Sequence, residues 1–256
     1  MGTFRRYLLA TVSAAAFSTG ALAADLPARV PVKAPAPVVV AWNWTGFYIG
    51  INAGVAWHHA EFTDLGDQTG FGYGFLPGTK YWSPTSTGFT GGGQIGYNIQ
   101  SGNIVYGLEA DVNWADAKKS ATLTTIAGGA AVFSSALNVS TKLEWMATVR
   151  GRLGVTVSSP TLLYVTGGWA IAGFQDQFDV PSNTDPAVNS KRTRSGWTVG
   201  GGIEHMFARN WTAKIEALFA DFGSSTVNGP TVGSSVYRSR FEHEVVTVRG
   251  GLNWKW

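Results

Sequence analysis

No cysteine occurs among the 256 residues. That absence excludes disulfides, thiolate metal sites and a lipid-bearing N-terminal cysteine. Charge is scarce too: Asp, Glu, Lys and Arg make up 14% of the chain, where about a quarter is usual. A soluble domain so poor in charge would present an adhesive surface. A spanning helix needs about 20 apolar residues, and the apolar stretch from Tyr7 to Phe17 is too short for one. The formal charge of +3 is no stronger a signal. Arg5 and Arg6 lie in residues 1–23, which hold no acid. Without that segment the basic excess falls to one, so no nucleic-acid partner is implied.

Residues 1–23 read as an address. Two arginines, a short apolar core and the small residues Ala21-Leu22-Ala23 form the three-part layout of a secretory signal, with cleavage expected between Ala23 and Ala24. Residues 24–43 follow with Pro27, Pro31, Pro35 and Pro37, which exclude a helix and favour an extended periplasmic arm.

What the chain does have is glycine (33), tryptophan (11) and a period of two. In residues 45–57, Phe47, Ile49, Ile51, Ala53, Val55 and Trp57 alternate with Tyr48, Gly50, Asn52, Gly54 and Ala56. Such alternation predicts a strand between two different environments. It recurs at 88–100, 103–114, 141–155, 162–174, 197–207, from Trp211 onward, and at the C-terminus. There Val246, Val248, Gly250, Leu252, Trp254 and Trp256 oppose Thr247, Arg249, Gly251, Asn253 and Lys255. That makes about eight strands long enough to cross a bilayer at a tilt.

The connections decide the architecture. Long ones are expected at 58–87, 115–140, 175–195 and 222–242, and short ones at 101–103, 157–160 and 208–210. Short periplasmic turns and long external loops are the pattern of an outer-membrane barrel. Residues 115–140 read as a projecting hairpin turning near Gly128-Gly129. Threading the strands up and down sorts the aromatics into two rings. One holds Trp44, Tyr97, Tyr106, Phe207, Trp211, Trp254 and Trp256; the other holds Trp57, Phe89, Trp114, Trp145, Trp169, Trp197 and Phe219. Aromatic rings of this kind belong at the headgroup levels of a membrane. The fold expected is all-β: a closed, eight-stranded, antiparallel, up-and-down transmembrane β-barrel over residues 44–256.

By parity the inward face collects Glu109, Asp111, Lys142, Glu144, Arg150, Arg152, Glu204, Lys214, Glu216, Arg249 and Lys255. Side chains fill the interior of a barrel this size, and isolated buried ions are costly, so these charges must pair. A narrow charged pore is the functional alternative. Glu109 and Asp111 could do acid–base work, but cross-strand pairing with Lys142, Arg150 and Arg152 accounts for them better. Gly91-Gly92-Gly93 and Gly200-Gly201-Gly202 lie inside strands with no following helix, unlike phosphate loops, and serve to make room for interior side chains. His58-His59 lacks a third metal ligand at convincing spacing. A hydrolase would need a converging Ser/His/acid set, and His205 and His243 fall at opposite ends. No cofactor motif is present.

"WTGFYIGINAG" at 44–54, "GGQIGYN" at 92–98, "KIEALFADFG" at 214–223 and the aromatic terminus resemble the small outer-membrane immunogenic proteins of alphaproteobacteria. These form a porin-like group similar in fold to the OmpA transmembrane barrel. The resemblance covers roughly residues 42–256. It implies a cell-surface barrel with roles in envelope integrity and surface contact, among outer-membrane lipids and lipopolysaccharide. Peptidoglycan or host surface molecules are the partners such roles would bring. It also implies that Trp256 ends a recognition signal for the barrel assembly machinery, and it carries no catalytic residues.

Overall fold

The computed structural model describes residues 42–65, 80–124, 136–179, 188–232 and 235–256. The expected signal, almost all of the arm, and Gly128-Gly129 lie outside the described residues. The strands are β1 (Gly46–Asp64), β2 (Lys80–Trp82), β3 (Thr85–Ser101), β4 (Ile104–Thr124) and β5 (Ala136–Ser158). They continue with β6 (Thr161–Asp179), β7 (Val188–Ala208), β8 (Trp211–Val232) and β9 (Ser235–Lys255). All but β2 pair antiparallel with their neighbours in chain order, and β9 pairs back onto β1, which closes an eight-stranded ring. That seam runs from Tyr48↔Lys255 to Asp64↔Ser239. The aromatic end of the chain is therefore built into the wall, and closure leaves no edge strand. The three-residue β2 pairs only with the far end of β1, at Phe62↔Trp82 and Thr63↔Lys80.

Three tight turns join β3 to β4, β5 to β6 and β7 to β8, at 102–103, 159–160 and 209–210. They fall where the short connections were expected. Gly102 adopts φ +60° in the first of them, the left-handed region where a Cβ is costly. At the opposite end the strands run further than the alternation had indicated: β4 continues to Thr124 and β5 begins at Ala136, with Thr124 opposite Ala136. Polar residues there keep the ladder without keeping the apolar alternation that marks it in sequence.

The two faces of the wall divide as the parity requires. Ile51, Leu108, Val112, Val165 and Ile215 are among the most exposed side chains and face outward. The lumen is filled. Inward glycines leave space for large neighbours: a Cβ at Gly96 would meet the Tyr48 ring at 2.3 Å, and one at Gly202 would meet the Tyr164 hydroxyl at 2.8 Å. Gly91, Gly93 and Gly201 face outward instead, so only part of each glycine triplet makes room inside.

The lumen is layered. At the short-turn end Trp44, Val105, Leu162, Tyr164 and Met206 form one apolar cluster. At the other end Leu143, Met146, Phe174, Phe222, Val245 and several alanines form a second. The charged layer lies between them.

Candidate functional site

Four anions and four cations are buried in the middle layer: Glu109, Asp111, Glu204 and Glu216 with Arg150, Arg152, Lys214 and Arg249. Five strands supply them by alternation. Glu109 and Asp111 sit on β4, Arg150 and Arg152 on β5, Glu204 on β7, Lys214 and Glu216 on β8, and Arg249 on β9. Register does the pairing. Glu109 lies directly opposite Arg150, and Glu216 lies opposite Arg249. Arg150 reaches Glu109 at 2.5 Å, Asp111 at 2.8 Å and Glu216 at 3.1 Å. Arg249 bridges Asp111 at 2.9 Å and Glu216 at 2.7 Å across the lumen. Arg152 holds Glu204 at 2.6 Å, and Lys214 holds Glu109 at 2.7 Å.

Neutral donors complete the network. Tyr48 donates to Glu109 at 2.7 Å and Tyr164 to Glu216 at 2.9 Å. Thr148 donates to Asp111, and Thr212 and Asn253 donate to Glu204. The Arg152 guanidinium lies 4.0 Å from the Tyr164 ring centroid, a cation–π contact. Every carboxylate of the layer has both an ionic and a hydrogen-bonded partner. That is the condition under which buried charges are tolerable.

Three residues expected inside are not in this network. Lys142 and Glu144 face outward. Lys142 pairs with Asp116 at 3.0 Å with 30% of its side chain exposed, and Glu144 lies 3.4 Å from Lys191. A β-bulge is the cause: two residues of β4, Ala115 and Asp116, lie against one of β5, Glu144, and none of β6. Below it β5 turns Met146, Thr148, Arg150 and Arg152 inward; above it the inward residues are Leu143 and Thr141. Leu143, which unbroken alternation with Lys142 and Glu144 would turn outward, is therefore 1% exposed in the apolar cluster. Lys255 has the inward parity but stands half-buried at the mouth.

The aromatics expected in two rings fall as follows. Tyr97, Tyr106, Phe207, Trp211, Trp254 and Trp256 lie exposed at the short-turn end, as do Phe89, Trp114, Trp169 and Trp197 at the other. Trp57, Trp145 and Phe219 belong to the second ring but are half-covered; Phe219 packs against Trp197 at 5.5 Å. Trp44 does not face lipid. It precedes β1, so strand parity does not govern it, and it folds into the mouth, 1% exposed. Its amide donates to the Gln100 side chain at 2.8 Å. Trp256 meets Phe47 (6.3 Å between centroids) and Trp254 (4.9 Å).

The structure also joins two histidines that sequence reasoning left apart. His58 Nε2 lies 3.0 Å from His243 Nδ1, and Ser86 Oγ lies 3.4 Å from His58 Nδ1. His243 Nε2 is 3.8 Å from Asp176, which accepts from Thr141 at 2.8 Å. Phe174 stacks on His243 at 4.3 Å. The signal was the parity of β1 carried past Trp57, combined with the β1–β9 seam; assigning His58 to a loop hid it. Ser86, His58, His243 and Asp176 are all 2% exposed or less. Burial raises the Asp176 carboxyl above its ordinary range, against the lowering influence of the Thr141 hydrogen bond and of Arg194 and Arg192. His205 stands exposed at the short-turn end, bonded to Thr161. Among the described residues no cluster of His, Cys, Asp or Glu is arranged to hold a metal.

A closed antiparallel ring with an apolar outer face, a polar filled lumen and two aromatic rings defines an outer-membrane β-barrel. The family model "Outer membrane protein beta-barrel domain" matches residues 9–239, and the chain belongs to that family. It is 36% identical over 254 residues to the 31 kDa outer-membrane immunogenic protein of Brucella melitensis, covering 97% of this chain and 98% of that protein. It is 35% identical over 191 residues to the 22 kDa outer membrane protein of Rhizobium leguminosarum bv. viciae, covering 74% and 69%. The outer membrane protease OmpT of Escherichia coli superposes with a TM-score of 0.52 at 11% identity, over 82% of this chain and 97% of that one. The last is a likeness of fold alone. The protein resides in the outer membrane.

Proposed function

We propose that this protein is a sealed outer-membrane barrel whose role is structural and surface-presenting, and that it is not an enzyme. The observation that carries the reading is the neutral four-against-four charge layer closed above and below by apolar clusters. The packed side chains of these layers leave little room for a continuous column of water. The charges serve to fix the interior, and the long connections supply the variable surface, since binding commonly resides on loops held by a rigid scaffold. Planar-bilayer recording on refolded protein tests this: no steady conductance is expected. Stable, salt-dependent channels would favour the porin-like alternative. A hydrolase is the weaker reading, because the Ser/His/His/Asp chain is enclosed.

The long connections lie outside the cell in this reading, and both termini face the periplasm. Epitope tags at Gly128 and Asn183 then react on intact cells, whereas tags at Asn103 and Asn210 do not; the reverse result inverts the topology. Residues 1–23 act as a cleaved signal and residues 24–43 as a periplasmic tether. Trp256 serves as the end of the assembly signal: Trp256→Asp lowers heat-modifiable protein in the outer-membrane fraction, and Trp256→Phe does not. The partners to test are outer-leaflet lipopolysaccharide and host surface molecules on the outer side, and peptidoglycan on the periplasmic side.

A further inference from the structure

Just beyond the second aromatic ring, the outward face of β4–β7 carries a row of cations in register. Lys118 lies opposite Lys142, Lys142 opposite Gln175, and Gln175 opposite Lys191. Neighbouring strands are about 4.8 Å apart, so these side chains form one continuous line across four strands. The bulge at Glu144 produces it: without the switch in parity Lys142 would point into the lumen. Asp116 and Glu144 partly neutralise Lys142 and Lys191. Lys118 has no ionic partner among the described residues.

Two like charges directly opposite on adjacent strands destabilise a sheet; Asp116 offsets Lys142 and leaves Lys118 unanswered. Beside Lys118 opens a cleft of about 360 Å³, lined by Lys118, Ser120, Thr122, Asn138, Ser140 and Gln177. It offers one ammonium together with hydroxyl and amide groups. That donor set suits a phosphate attached to a sugar. The cleft opens outward above Trp114 and Trp145, at the level where headgroups lie.

The opposite side of the ring is different. β9 stands four strands from β5 in either direction. On the outward faces of β8, β9 and β1, Asp221 lies opposite Glu244, and Glu61 opposite Glu242. The belt above the aromatic ring is thus cationic on one flank and acidic on the other.

We propose that the Lys118–Lys142–Lys191 flank and its hydroxyl-lined cleft bind the phosphorylated sugar headgroup of an outer-leaflet lipid, and that the acidic flank does not. The proposal rests on the orientation given above, but its test does not. Refolded protein in neutral detergent micelles is titrated with diphosphorylated lipid A, with the same lipid after phosphatase treatment, and with inorganic phosphate, and binding is followed by native mass spectrometry. Only the phosphorylated lipid is expected to be retained. Lys118→Gln with Lys142→Gln should weaken retention by about tenfold or more. Glu242→Gln with Glu244→Gln should leave it unchanged. Equal retention by the lysine variant, or of the dephosphorylated lipid, overturns the site. Phosphate binding as tightly as the lipid overturns the commitment to a lipid. Pairing of barrels that is lost in both double variants would assign the two flanks to copy-to-copy contact instead.

Discussion

The charged middle of the lumen and the apolar layer beyond it are built on the same strands by different rules. In the middle layer Arg150 touches three carboxylates, so the position of each side chain depends on the charge of its neighbours. In the apolar layer Leu143, Phe174 and Phe222 fill volume, and the Phe174 and Phe222 rings meet edge to face at 5.3 Å. On β5 the boundary is a single irregularity at Glu144. Strict alternation would have carried Lys142 and Glu144 into the apolar layer, where charges without partners are costly. The bulge turns both outward and brings Leu143 and Thr141 in. A bulge here acts as a designed change of face, as bulges commonly do.

The comparison can be broken most severely at that point. Deleting Leu143 while Glu144 is kept should shift the residues before it by one, driving Lys142 inward and Thr141 outward. The expected outcome is a sharp loss of heat-modifiable, folded protein; a normal yield would show that the strand can slip without cost. Next comes the charged layer. Arg150→Ala leaves Glu109, Asp111 and Glu216 short of a partner, and breaking a buried pair costs about 3–5 kcal/mol. Urea unfolding from micelles should show that loss, and an unchanged midpoint would mean that water replaces the guanidinium. Leu143→Ala should cost about 2–4 kcal/mol by the same measurement, as a buried leucine does. A cost below about 0.5 kcal/mol, the range of ordinary surface substitutions, would place Leu143 at the lipid face. Smallest is Lys142→Gln, which removes only a half-exposed pair with Asp116 and should cost less than about 1 kcal/mol.

The ring, its closure, the tight turns and the outward aromatics were legible because each rests on period-two alternation, which a bilayer enforces on every strand that crosses it. Eight of the eleven inward charges were legible for the same reason. Lys142, Glu144 and Leu143 were misplaced because a bulge leaves no mark in the alternation that could be told from a loop beginning. Trp44 was misplaced because it precedes the first strand and obeys the geometry of the mouth. The His58–His243 pair was missed because the strands continue past the membrane band, where polar side chains no longer alternate with apolar ones. Pairing partners were readable only to the neighbouring strand. The cross-lumen contacts, such as Arg249 with Asp111, depend on the depth and shear of the closed ring, which no local pattern encodes.

The absence of cysteine from the native chain makes the switch of face on β5 directly measurable. Single variants Lys142→Cys and Leu143→Cys, folded into vesicles, can be treated with a bulky membrane-impermeant thiol reagent. Labelling at 142 and protection at 143 is the expected result, because Lys142 stands at the surface and Leu143 is 1% exposed. Labelling at 143 with protection at 142 would contradict the bulge, and with it the account of how the charged and apolar layers are kept apart.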